Sequence, residues 1–539
     1  MSVVKYRDTE GGQVPDVSPH EHKINEYVAA INYRGQNRAM QKIGGHETEV
    51  ISMPITDPDL LTAWNPPGDS RFIVSALAGA AFRSIVNTAP NTATAISTQM
   101  ANTYVNVFSN AAIGNTTKWS SAQLGGGSII ILTNGEITPK YASEYTNYNL
   151  QSLPNWDVAN SNTVTSGTVV ATAFNKIFVG NIKLLDTSSN VITYQPNFIK
   201  VSSASNNIDP AIPPETFTPS AINAEQFGQI VELPVDEPVV GLIPSRDSLL
   251  AFTTNQCFQL TENQSTARIQ VSPLSSVRGL LTARSAVYVD GRTYFITTDD
   301  ICVTNGSTLG FTSLAANTYR NYFFQQRLNT TYAYNVFGIY NRYYNEVVWY
   351  YPNKNSAGPC NEAVILNLQT NTFTQIDVPE CKDAYYGGSY GNNGVNRPFT
   401  GYTSAYNRVH TQYGNVLYVH DTGFSYLGTA NITTTLSKVY DFEQEGSNSS
   451  VIKKINSLFP IFYGNTVATF SMIASDLPFV TQPDFANTSY TGEFYTTINY
   501  KIDQYQPGRF VAIQIVTSDQ VYHSFNSMNI DVEILGLTG

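Results

Sequence analysis

From Trp64 onward the chain alternates apolar and polar residues in short runs, and Gly, Asn, Asp and Pro punctuate them. Alternation with a period of two puts every second side chain on one face. Each run therefore predicts a half-buried strand and each break a turn. In SAVYVDGRTYFITTDDICVTNGS, Asp290-Gly291 lies between two alternating runs and Asn305-Gly306 follows the next. Both dipeptides tolerate the positive φ that tight hairpin turns require. Downstream, the pattern predicts strands over Val347 to Tyr351, Ala363 to Leu368 and Thr372 to Ile376, and a further hairpin turning at Gly414-Asn415. The rhythm of strand and tight turn over residues 64–430 is that of propeller blades, and a large sandwich shares it.

The flanks read differently. Residues 1–63 are the most charged stretch, with a turn at Gly35 and a stop at Gly44-Gly45, and predict an arm packing on a neighbouring β domain. Residues 185–235 are rich in Pro, Ser and Asn and weakly periodic, which predicts a long loop or insertion. Residues 431–539 predict a separate antiparallel domain of five or six strands, with Pro507-Gly508 turning one hairpin and Phe510, Ala512 and Gln514 alternating with Val511, Ile513 and Ile515. Helix-length periodicity never takes over. The expected fold class is all-β: a β-propeller with flanking antiparallel β domains.

Composition sharpens this. Charged residues are 13% of the 539, against roughly 25% in an average domain, and there are 34 Tyr. Polarity thus comes mainly from uncharged side chains suited to strands and turns. A net charge of −11 argues against gripping nucleic acid, which needs clustered Lys and Arg, but suits a surface that nucleic acid slides past. Cys257, Cys302, Cys360 and Cys381 are far apart and form no CxxC pair, so neither a zinc site nor a disulfide framework is indicated. Pairing of Cys360 with Cys381 stays open, with reduced thiols expected. The N-terminus lacks the pattern of a signal peptide, and the apolar run from Ile73 to Phe82 is too short to span a membrane. The expectation is a soluble chain made in a cytoplasm.

Each candidate for chemistry has a plainer reading. Gly387-Gly388-Ser389-Tyr390-Gly391 matches the nucleophile-elbow pattern, but NNGVNRPFTG follows it and cannot start the helix an elbow needs. His20-Glu21-His22 lacks a third ligand and a rigid frame. His410, His420 and His523 are scattered among strands, and Asp299-Asp300, as adjacent strand residues, face opposite sides. Leu124-Gly125-Gly126-Gly127-Ser128 lacks the Lys of a phosphate-binding loop and predicts a flexible connection. Tyr385, Tyr386 and Tyr390 could line a sugar site, and Asp299, Asp300 or Glu346 could serve a propeller hydrolase. No residue is assigned a catalytic, cofactor-binding or metal-ligating role, and the chain is expected not to be an enzyme.

Several passages, in order, resemble the tail nozzle or tail hub proteins of short-tailed bacteriophages, also called tail tubular protein B or packaged-DNA stabilisation proteins. They are INYRGQNRAMQKIGG, WSSAQLGGGSIIILTNGEITPKY with Leu153-Pro154-Asn155-Trp156, AFNKIFVGNI with QPNFIKVSSASNNID, EPVVGLIPSRDSLLAFTTNQCFQL, VDGRTYFITTDDICVTNG, YYNEVVWYYP and PGRFVAIQI. They touch most of the chain, and the likeness is one of pattern and order. Where the family has Trp-Ser-Asp after a strand, this chain has Val201-Ser202-Ser203. The resemblance implies a β-propeller flanked by β-rich domains and a homohexameric ring in the virion tail below the portal and adaptor. Such a ring extends the DNA exit channel, retains the packaged genome until ejection and docks tail fibres or spikes. Six copies would carry about −66, which suits a lumen that repels DNA. The alternative is a receptor- or carbohydrate-binding β-propeller of a phage tail.

Overall fold

A computed structural model describes the chain except residues 1, 7–8, 24, 51–52, 65, 67–71, 86–103, 110–117, 157–162, 187–190, 206–207, 218–227, 307–309, 388, 393–394, 399–407, 428, 441–450, 480–482, 486–488, 496–499 and 538–539. The fold is all-β, in multiple antiparallel sheets. Six separate four-stranded sheets, and four further strands that begin a nine-stranded sheet, follow one another as seven units. Their first strands are Leu60–Trp64, Ser120–Leu124, Thr163–Ala173, Gly241–Pro244, Ala286–Val289, Phe337–Asn341 and Ala384–Gly387. Each first strand lies against the first strand of the next unit, and Ala384–Gly387 lies against Leu60–Trp64. The seventh unit takes three strands locally and its fourth, His46–Val50, from the N-terminal region, paired antiparallel to Val416–His420.

Local sequence explains much of this. Val289 pairs with Arg292 and Tyr413 with Val416, so Asp290-Gly291 and Gly414-Asn415 are two-residue turns, with φ of 46° at Asp290 and 85° at Gly291. Asn305-Gly306 instead opens a longer connection before the short strand Thr312–Ser313. The triple glycine after Leu124 is a tight turn with φ of 63° at Gly125, and a Cβ there would stand 2.6 Å from the Pro210 carbonyl oxygen. It is a close approach of two chain segments and not the flexible connection the sequence predicts.

Two expectations need correcting. Residues 185–235 contain the strand Val191–Val201, which continues the third unit, and Gln229–Glu232, which completes it. The weak periodicity arises because Thr193 and Tyr194 near the start of that strand are both exposed, whereas Ile199 and Val201 at its end are buried. Pro507-Gly508 turns no hairpin: both residues pair with Lys454 and Lys453 inside the strand Ile502–Gly508, and the chain then crosses to another sheet at Phe510–Thr517.

Residues 431–539 do not build a body alone. A six-stranded sheet combines Val451–Tyr463, Ile502–Gly508 and Ser524–Leu537 with Ser2–Tyr6, Tyr33–Gln36 and Ala39–Lys42. Ala29–Ile31 joins Thr372–Cys381 of the sixth unit to Thr434–Tyr440, so the nine-stranded sheet runs without a break from the sixth unit into the C-terminal strands. Between the two sheets Tyr33, Met40, Leu458, Phe462, Phe470, Ile513 and Phe525 form one core. The N-terminal segment predicted to be an arm thus supplies strands to this core and the closing strand of the seventh unit.

Candidate functional site

All seven first strands border one cavity of about 270 Å³, lined among others by Leu61, Ser120, Val170, Leu242, Ala286, Gly338 and Ala384. A second cavity of about 270 Å³ shares Trp119, Ser120, Val169, Ala283 and Arg284 with the first, and takes most of its other lining residues from positions just before the first strands, with Thr168 and Asn181 from strands of the third unit. We call the two the axial cavity and its mouth.

The mouth gathers charge. Lys118, Arg284 and Lys382 each stand two residues ahead of a first strand, and Asp59 and Asp383 one residue ahead. Arg284 reaches across: one terminal amine donates to the Asp59 carbonyl at 2.7 Å and the other pairs with Asp383. Asp383 also accepts from the Leu61 amide at 2.6 Å. Lys118 Nζ lies 2.8 Å from Asp59 Oδ1, whereas Lys382 Nζ stands 3.9 Å from the same oxygen. Burial pushes the Lys118 ammonium below the ordinary lysine range, while Asp59 pulls the other way, and burial pushes Arg284 down to about 10. Trp119, Val239, Leu281 and Val336 give the mouth apolar walls, with Tyr334 exposed at its rim.

A second ionic centre is buried where the seventh unit meets the C-terminal body. Arg34 Nε donates to Glu346 Oε1 at 2.7 Å, and its two terminal amines bond Asp421 at 3.0 and 3.1 Å. Its guanidinium lies 3.5 Å from the centre of the Tyr344 ring. Burial raises Glu346 to about 7, although Arg34 opposes the shift. Across the closing strand, His46 is the register partner of His420, with ring centres 4.6 Å apart, and His420 Nε2 meets Thr411 Oγ1 at 2.7 Å. His410 stacks on Tyr385 at 4.8 Å. Burial lowers all three imidazoles, His46 and His410 to about 4.

The residues singled out from sequence are not brought together. His20 lies edge-on to Phe510 and His22 bonds the Val17 carbonyl at 3.1 Å. His523 is buried in the C-terminal core against the Tyr33 hydroxyl. Asp299 and Asp300 meet the same guanidinium, Arg278, at 3.1 and 3.2 Å, because they occupy the turn after Arg292–Ile296 and not a strand with two faces. Ser389–Asn392 is a strand paired with Val395–Pro398, so no helix follows Ser389; Gly388 itself lies outside the described residues. Tyr385 is buried and Tyr386 partly so, on consecutive positions of one strand that face opposite sides, and the Tyr390 side chain lies outside the described residues. Cys360 and Cys381 are register partners on adjacent strands, and all four cysteines are buried and free. Among the described residues no group of three His, Cys, Asp or Glu could hold a metal ion, and no helix is long and apolar enough to cross a membrane. The mouth cluster was missed because its members come from four separate stretches of chain between Asp59 and Asp383; their place just ahead of first strands becomes visible only once those strands are assigned. No protein-family model matches the chain, and no curated protein matches it in sequence.

Proposed function

We propose that the seven units form a seven-bladed β-propeller and that the chain is a structural subunit of a short-tailed phage tail nozzle or hub. The succession of contacts between first strands, with the seventh returning to the first, supports the propeller, as does completion of the last unit by an N-terminal strand. The ordered sequence resemblance, running from INYRGQNRAMQKIGG to PGRFVAIQI, carries the functional reading. Copies would assemble as a homohexamer on the head-to-tail adaptor and portal, carry fibres or spikes, and leave a lumen for DNA without sequence-specific binding.

Under this reading the lumen is not the axis of one propeller. A 270 Å³ axial cavity filled round by side chains admits a small molecule, not a duplex whose major groove alone is about 12 Å wide. The duct therefore runs between copies, and each propeller stands in its wall. A gate would be built from the longest projection of the wall. The third unit carries three strands of 11 residues, about 36 Å each, whereas the first strands of the fourth and fifth units have 4 residues. Val191 and Tyr194, at the far end of its hairpin, are exposed.

Cryo-electron microscopy of purified particles tests the reading. We expect six copies around the DNA exit, with DNA density between subunits and the third-unit hairpins pointing at it. Absence of the chain from the tail axis, or DNA threading the propeller axis, overturns it.

A further inference from the structure

We propose that the mouth of the axial cavity binds a small organic carboxylate of monosaccharide size, with Lys382 and Lys118 holding the carboxylate. The first observation is an unsatisfied cation. The Lys382 side chain is 27% exposed, and among the described residues no acceptor stands within hydrogen-bond reach of its ammonium, with Asp59 at 3.9 Å. An ammonium without a hydrogen-bonded protein partner can receive a ligand carboxylate in a charge-assisted hydrogen bond. Lys118, the other rim cation, has its carboxylate partner at 2.8 Å and still keeps a 33% exposed side chain.

Charge counting gives the sign of the ligand. Lys118, Arg284 and Lys382 face Asp59 and Asp383, three cations against two anions, so the cluster carries one positive charge in excess. In a chain of net charge −11 a positive cavity opposes the general field. Since Arg284 is engaged on both sides by Asp383 and the Asp59 carbonyl, the excess resides at the two lysines.

The walls set the rest of the ligand. The carboxylate sits at the lysines, with the carbon frame against Val239, Leu281 and Val336. A volume of about 270 Å³ lies at the lower end of small-molecule sites and fits one sugar-sized ring.

The site stands within one copy of the chain and holds whether or not copies form a tail ring. Titration calorimetry on the full chain with glucuronate, glucose and inorganic phosphate tests it. We expect saturable binding of glucuronate, weaker at higher salt, no binding of glucose, and weaker binding of phosphate, which lacks the carbon frame. Lys382→Gln should weaken glucuronate about tenfold, the loss of one charge-assisted hydrogen bond, at unchanged thermal stability because that ammonium has no hydrogen-bonded protein partner. Lys382→Arg should retain most of the affinity. No saturable binding of glucuronate, equal affinity for phosphate, or unchanged binding in Lys382→Gln would each overturn the assignment.

Discussion

Arg34 is the residue on which the junction between the seventh unit and the C-terminal body depends. One guanidinium serves two carboxylates, Glu346 and Asp421, and all three side chains are under a tenth exposed. The ring of Tyr344 covers one face of the guanidinium. Truncation to Arg34→Met removes the cation and leaves the carboxylates buried without it, which costs about 3–5 kcal/mol. Urea denaturation should show that loss as a lowered midpoint at unchanged slope. By contrast Glu346→Gln should cost little near neutrality, because a carboxyl raised to about 7 is already partly protonated there. If Arg34→Met proved as mild as Glu346→Gln, the pair would not be the buried anchor its geometry indicates.

At the scale of the element, the closing strand His46–Val50 couples this junction to acidity. His46 lies on it, His420 on the strand paired with it and His410 on the next strand of the sheet, and burial lowers all three. The groups facing them are Arg34, Asp421, Glu346, Tyr350, Tyr385 and Tyr426. An imidazole with a folded pKa of about 4 and an ordinary value of 6.5 binds fewer protons folded than unfolded between those limits, so stability falls as pH drops from 6.5 to about 4. His46 and His410 should each contribute about 3 kcal/mol of that loss. Glu346, raised to about 7, works oppositely, losing stability as pH rises from 4.5 to 7, but it is one group against three. Hydrogen exchange at pH 5 should therefore open the amides of the closing strand before those of Cys360–Asn367. Equal protection of the two strands at pH 5 would remove the closing strand as the acid-sensitive element.

How much of this was legible in the sequence follows from distance along the chain. Asp290-Gly291 and the strands around Val347, Ala363 and Thr372 were readable because alternation and turn chemistry are local. The pairing of His46–Val50 with Val416–His420 leaves no local signal, nor does the bridge that Ala29–Ile31 makes between the sixth unit and Thr434–Tyr440. Those pairings depend on two distant segments being complementary. The lysines of the mouth carry no local signal for the same reason. Tyr-rich strands gave a further ambiguity: Tyr33, Tyr319, Tyr350 and Tyr351 are fully buried, whereas Tyr194 and Tyr505 are exposed, and the residue type alone does not distinguish them.

For the whole molecule, the interleaving of chain ends decides whether it unfolds as one body or two. The nine-stranded sheet crosses from the sixth unit to the C-terminal strands, and residues from both ends share one core. Separating the bodies means breaking the pairing of Ala29–Ile31 on one side and exposing the Arg34 centre, so neither should survive loss of the other. The four tryptophans, Trp64, Trp119, Trp156 and Trp349, all lie within the seven units and none in the C-terminal core, so their fluorescence reports the units alone. Far-ultraviolet circular dichroism reports strands everywhere. In guanidinium the two probes should therefore trace coincident transitions with one midpoint, the mark of a single cooperative unit. Residues 431–539 expressed alone should lack that transition, because Tyr33, Met40 and the strands that carry them are missing from their core. A fluorescence transition displaced from the dichroism transition, together with a cooperatively folding C-terminal fragment, would mean that the shared sheet joins two independently stable domains.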